Sequence, residues 1–167
     1  ASDVYKRQLI KWYEVQLKKL GINVMTNTTA TPKLIKNVNP DVVIIATGSE
    51  PLVPEIPGVE NAMTADDVLL GKVTVGENVV VVGGGLVGCE VALYLAKQGK
   101  KVTIVEALPE IARDMEPTSK MTLMKMGGLF EKYGINVIIN SPTVEIRKGE
   151  VVVIDEIGRR RSMNADS

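Results

Sequence analysis

The chain has 167 residues, 45% apolar and 24% charged, a composition of globular domains rather than disordered tails. Lys plus Arg number 20 and Asp plus Glu number 20, so no net field draws the chain to nucleic acid or an anionic membrane. No apolar run approaches the ~18 residues of a membrane span. Histidine is absent, which excludes a Ser-His or Cys-His pair and any His-containing metal site in this stretch. The one cysteine, Cys89, can form neither an internal disulfide nor a Cys cluster. A cytoplasmic α/β chain remains, whose chemistry comes from a bound cofactor or from other parts of a longer protein.

The opening run Ala1-Ser-Asp-Val-Tyr-Lys-Arg-Gln8 carries no apolar stretch after Lys6 and Arg7, so it does not read as a signal peptide. It resembles translated sequencing-adapter read-through. Residues 1–8 are therefore taken as non-native, with a genuine helix start as the other reading. From Leu9 to Leu20, Leu9, Trp12, Tyr13, Leu17 and Leu20 fall at helical spacing, and Gly21 stops the helix. Ile22 to Met25 predicts a short strand, and Thr31 to Lys36 a short helix with Pro32 at its first position. Asp41 to Ala46 is β-branched and continuous, the pattern of a buried parallel strand, and it runs into Thr47-Gly48. Residues 49–58 hold three prolines and a glycine and mark the boundary between two domains.

Beyond it, Ala65 to Leu70 reads as a helix capped by Thr64. Asn78 to Val82 is a strand, Gly85 to Gln98 a helix and Lys101 to Glu106 a strand. Pro117 to Lys132 is a helix strained by Gly127-Gly128, and Ile135 to Ile139 a strand. Thr143 to Arg147, Glu150 to Asp155 and Arg160 to Met163 form an antiparallel meander, and no regular element is evident from Asn164 to Ser167. Alternating β and α followed by hairpins gives a Rossmann-like βαβ dinucleotide-binding domain with an antiparallel excursion.

The chemistry concentrates where Val79 to Val82 enters Gly83, Gly84, Gly85, Leu86, Val87 and Gly88. This is a G-x-G-x-x-G run with a strand before it and a helix after it. Gly83 permits the tight turn, Gly85 removes a Cβ that would block a pyrophosphate, and Gly88 lets helix and strand pack closely. The phosphates then meet the positive end of the helix. Glu106 stands 23 residues after Gly83, near the ~20 of a ribose-binding acid. A carboxylate there accepts from ribose hydroxyls and repels a 2′-phosphate. Ala107 to Glu110 offer no cation, and Arg113 approaches only by folding back, so NAD(H) is favoured over NADP(H). Cys89 is a packing residue or a thiol activated by the helix, with packing favoured. Glu90 either complements the helix dipole or faces the nicotinamide, and both readings stay open.

The strings ATG at 46–48, PLVPEIPG at 51–58, TADDVL at 64–69, VVVVGGGLVGCEVALYLA at 79–96 and VTIVEALPEIARDM at 102–115 carry a family resemblance. Residues 9–167 resemble the flavoproteins with two dinucleotide-binding domains. The similarity is greatest to the reductase half of old-yellow-enzyme-like NADH:flavin oxidoreductases, a group with 2-enoate reductases, 2,4-dienoyl-CoA reductases and trimethylamine dehydrogenase. The resemblance implies a three-layer FAD/NAD(P)-binding fold, here truncated. Residues 9–57 would be a partial FAD-domain segment with crossover, and residues 58–167 an NAD(P)-binding domain lacking its C-terminal end. Ala46, Thr47 and Gly48 would end a strand near the flavin. NADH would bind this chain and reduce FAD, and electrons would pass through a [4Fe–4S] cluster to FMN at an enoate reductase centre. The partners implied are the dinucleotide and the missing FAD-domain and barrel segments of the same chain. Two other readings stay open: a pyridine nucleotide-disulfide reductase or NADH oxidase with its redox cysteines upstream, and a non-catalytic ADP- or NAD-binding module.

Overall fold

The computed structural model describes residues 2–113 and 120–167, with side chains over 7–113 and 126–167. The chain divides into two compact units, Ala1–Gly48 and Ser49–Ser167. Among the described residues no helix is long and apolar enough to cross a membrane.

The first unit holds two helices. Helix α1 (Ser2–Lys19) runs without a break from residue 2 into the amphipathic stretch that begins at Leu9. It closes at Gly21, φ +66°, with the Ile22 N–H donating to the Leu17 carbonyl at 3.0 Å, the backbone signature of a glycine-terminated helix. Helix α2 (Pro32–Val38) starts on Thr31, whose hydroxyl oxygen accepts from the Leu34 N–H at 3.2 Å, and ends at the left-handed Asn39. The two strands expected at Ile22 to Met25 and Asp41 to Ala46 do not form. A strand exists only where a neighbour takes its N–H and C=O groups, and neither described segment has one in this unit. Val42 and Ile45 are accordingly 76% and 85% exposed. No residue of 7–48 is buried.

The second unit is built on a parallel sheet of β1 (Asn78–Val82), β2 (Lys101–Val105) and β3 (Asn136–Ile138), in the order β1-β2-β3. Ahead of it, a 3-10 turn (Val59–Asn61) precedes helix α3 (Ala65–Leu69), whose Thr64 cap accepts from the Asp67 N–H at 3.2 Å. Helix α4 (Leu86–Lys97) joins β1 to β2, and α5 (Lys120–Tyr133) lies between β2 and β3. Helix α5 passes through Gly127 and Gly128 unbroken. The expected start of that helix at 117 lies outside the described residues. Cys89, Ala92, Leu95 and Ala96 from α4 bury against Val79, Val102 and Ile104 of the sheet, with Phe130 of α5. Cys89, Ala92 and Ala96 are small and the sheet residues β-branched, so α4 can approach the sheet closely, with Leu95 and Phe130 filling the space between.

The meander is β4 (Thr143–Arg147), β5 (Glu150–Ile154) and β6 (Arg160–Asn164), antiparallel throughout. Its Val151 and Val153 pack with Val105 and Ala165 in a second core, against Val80 and Met163. The Pro57 carbonyl accepts from the Ile146 N–H at 2.8 Å, so the Pro-rich crossover runs along β4. Residues 165–167 do have a place, along β1. The Asp166 N–H donates to the Asn78 carbonyl at 2.8 Å, and the Val80 N–H to the Ser167 carbonyl at 3.0 Å. The Asp166 carboxylate accepts from the Asn78 N–H at 2.8 Å and the Glu77 N–H at 3.2 Å. These donors, the Asn78 N–H foremost, hold its carboxyl below the usual aspartate range.

Candidate dinucleotide site

The glycine run lies at the carboxyl end of the parallel sheet, where α/β sheets place their ligands. Strand β1 hands over to Gly83, whose N–H donates to the Val105 carbonyl at 2.8 Å. Gly83 has φ +102°, a conformation from which a side chain is excluded sterically. A Cβ on Gly88 would collide with the Gly83 carbonyl oxygen, so this turn of helix sits directly on the loop. Gly85 is the N-cap of α4, at φ −66° and ψ 179°, and brings no side chain to the positive end of the helix. Leu86 and Val87 open the helix, half-buried and exposed respectively.

Gly84 carries a constraint that motif reasoning left without a mechanical role. It is buried, and a Cβ on it would lie 2.6 Å from Ile111 Cγ2 and 3.2 Å from Glu106 Cβ. Its peptide group ties three segments together. The Gly84 N–H donates to Glu106 Oε2 at 2.6 Å. The Gly84 carbonyl accepts from the Ala112 N–H at 2.6 Å and from Cys89 Sγ at 3.4 Å. Cys89 is fully buried beneath the loop, in the packing role.

Glu106 follows β2 directly. Its second oxygen, Oε1, accepts from the Leu108 N–H at 2.8 Å, so among the described residues each carboxylate oxygen has one backbone donor and keeps a lone pair for a ligand hydroxyl. Around it lies a hollow of about 250 Å³ lined by Gly84, Gly85, Glu106, Leu108, Ala112 and the exposed pair Glu110 and Arg113. The chain does fold back here, contrary to expectation. The Ala112-to-Gly84 bond, with Ala112 in the left-handed region at φ +54°, returns residues 111–113 to the glycine loop. A short irregular segment carries no periodic signal of such a return, so its position is not legible in the sequence. Glu90, in the first turns of α4, is exposed. Ala46, Thr47 and Gly48 belong to the other unit and are exposed there, Gly48 with φ +83°. A larger hollow, about 510 Å³, includes Lys100, Lys101 and Asn136 at the opposite, amino end of the strands, away from the phosphate loop.

A glycine turn closed to side chains, a positive helix end and an acid with open lone pairs are the parts a dinucleotide needs, and the residues present fit one. Residues 33–167 match the model of the family described as pyridine nucleotide-disulphide oxidoreductase. The chain belongs to this family. It is 44% identical over 160 residues to an NADH oxidase of Thermoanaerobacter brockii, a match of 92% of this chain and 24% of that protein. It is 39% identical over 161 residues to a cinnamate reductase of Clostridium sporogenes, with 96% of this chain and 24% of that protein covered. A solved structure of 2-naphthoyl-CoA reductase in complex with 2-naphthoyl-CoA superposes at a TM-score of 0.84 with 34% identity, over 96% of this chain and 24% of that one. The chain thus spans about a quarter of the length of these relatives. Membership in the family carries FAD and NAD(P)H binding as the family's general property.

Proposed function

We propose that this chain is the pyridine-nucleotide part of an NADH-dependent flavoprotein oxidoreductase. Gly83 to Gly88 would hold the pyrophosphate and Glu106 the adenosine ribose. The observation that carries the reading is the bond from the Gly84 N–H to Glu106, which joins the phosphate loop and the ribose acid in one rigid unit. A bound nicotinamide supplies hydride. The chain's own residues bind and orient the nucleotide, and Glu106, fixed by two backbone donors, cannot swing away from a 2′-phosphate. Glu90 is kept as a candidate for the nicotinamide end. Residues 9–57, with Ala46, Thr47 and Gly48, are assigned to the FAD-binding part, and residues 58–167 to the NAD(P)-binding part.

In the whole protein the final acceptor would be an activated C=C bond at an FMN centre, as supported by the likeness to the cinnamate and 2-naphthoyl-CoA reductases. One buried cysteine does not fit a [4Fe–4S] cluster, so any cluster is held by other parts of the protein. The 44% identity to an NADH oxidase favours dioxygen as the second reading of the acceptor. Calorimetric titration with NADH and NADPH tests the nucleotide assignment. Saturable NADH binding, tighter than NADPH, is expected. Glu106→Gln should close the gap by about ten-fold, the worth of a charged hydrogen bond and a relieved repulsion. No NADH binding at millimolar concentration overturns the assignment.

A further inference from the structure

Arg113 stands in the hollow beside Glu106 with no role in the dinucleotide reading so far. Among the described residues that line this hollow it is the only cation, and two carboxylates, Glu106 and Glu110, line the hollow as well. Its partner is Glu110 at 3.4 Å, and the two side chains are 52% and 71% exposed. A loose pair this open to water is weak and is exchanged for a ligand at little cost. The volume, about 250 Å³, is below the ~300–1,000 Å³ of a whole-ligand pocket and suits one end of a dinucleotide. Leu108 and Ala112 make part of its wall apolar, as a flat heteroaromatic ring requires.

Two roles for the guanidinium compete: a clamp on a 2′-phosphate, or a cover on the adenine ring. The anchoring of Glu106 decides between them. Both of its oxygens are held by backbone N–H groups, at 2.6 Å to Gly84 and 2.8 Å to Leu108, so a 2′-phosphate meets a carboxylate that cannot retreat. We propose that Arg113 is an adenine-binding residue, its planar cation lying on the ring face opposite the apolar wall. Arginine suits this better than lysine because its charge is delocalised over a plane that stacks on a π-system. The left-handed turn at Ala112 positions it, and the bond from Ala112 to the Gly84 carbonyl ties that position to the phosphate loop.

This rests on the nucleotide-binding reading above, and calorimetry on Arg113→Ala and Arg113→Lys separates the two. NADH, NADPH and reduced nicotinamide mononucleotide, which lacks adenine, are the probes. Expected is a loss of about ten-fold for NADH in Arg113→Ala, an equal loss for NADPH, and no change for the mononucleotide. Arg113→Lys should recover part of the NADH loss. Unaltered NADH affinity in Arg113→Ala, with or without a loss confined to NADPH, overturns the adenine role. Failure of the unsubstituted chain to bind NADH overturns the nucleotide reading itself, and this inference with it. Arg113 is exposed, so the variants should keep the fold, which far-ultraviolet circular dichroism checks.

Discussion

Two glycines in the same chain predict opposite responses to the same added methyl group. Gly88 sits where a Cβ would strike the Gly83 carbonyl oxygen, a backbone atom that cannot rotate aside. Gly88→Ala should destabilise the chain by about 1–3 kcal/mol and weaken NADH binding, because helix and loop must separate. Gly127 lies in α5 with nothing within 4 Å of its would-be Cβ. Gly127→Ala should stabilise by about 0.5–1 kcal/mol through helix propensity alone and leave binding unchanged. Urea unfolding of both variants, with NADH titration, checks the pair. A destabilised Gly127→Ala would show that α5 needs that bare position.

At the level of elements, β1, α4 and β2 were legible because pattern and partner lie close together. Each strand is a β-branched run, the helix between them has its apolar face, and glycine marks the turn. The segment at Asp41 to Ala46 has the same local pattern and forms no strand, because pairing is not a property of the segment itself. The ribose acid was legible by its spacing. The fold-back of residues 111–113 and the clamp of Asp166 on β1 were not, since both depend on partners over 20 residues away without a periodic signature. That clamp has a pH dependence of definite sign. The Asp166 carboxyl is depressed in the folded chain, so its contribution is present above its unfolded value and lost as pH falls through the folded one. The stability gap between the chain and Asp166→Asn should be constant near neutrality and shrink below about pH 4. Thermal melts across roughly pH 2–7 measure it, and a gap that grows on acidification contradicts the assignment.

Across the molecule, the two units are stabilised unequally. The second buries Ile104 completely and Val105 to 2% exposure, whereas the first leaves Ile44 and Ile45 each 85% exposed. Ile44→Ser with Ile45→Ser should therefore cost this chain less than about 0.5 kcal/mol, as exposed substitutions do, and reduce its binding of a hydrophobic dye. A loss of several kcal/mol would place those side chains in a core. The pairing of β1 also sets an order in time. The strand that carries the phosphate loop takes one neighbour from residues 101–105 and the other from residues 166–167, 88 positions beyond Asn78. At ~5–20 residues per second, on the order of ten seconds of synthesis separates the emergence of Asn78 from that of the segment which closes its outer edge. For that interval the nascent chain presents a half-paired parallel strand, the kind of edge on which chaperones act and premature association begins.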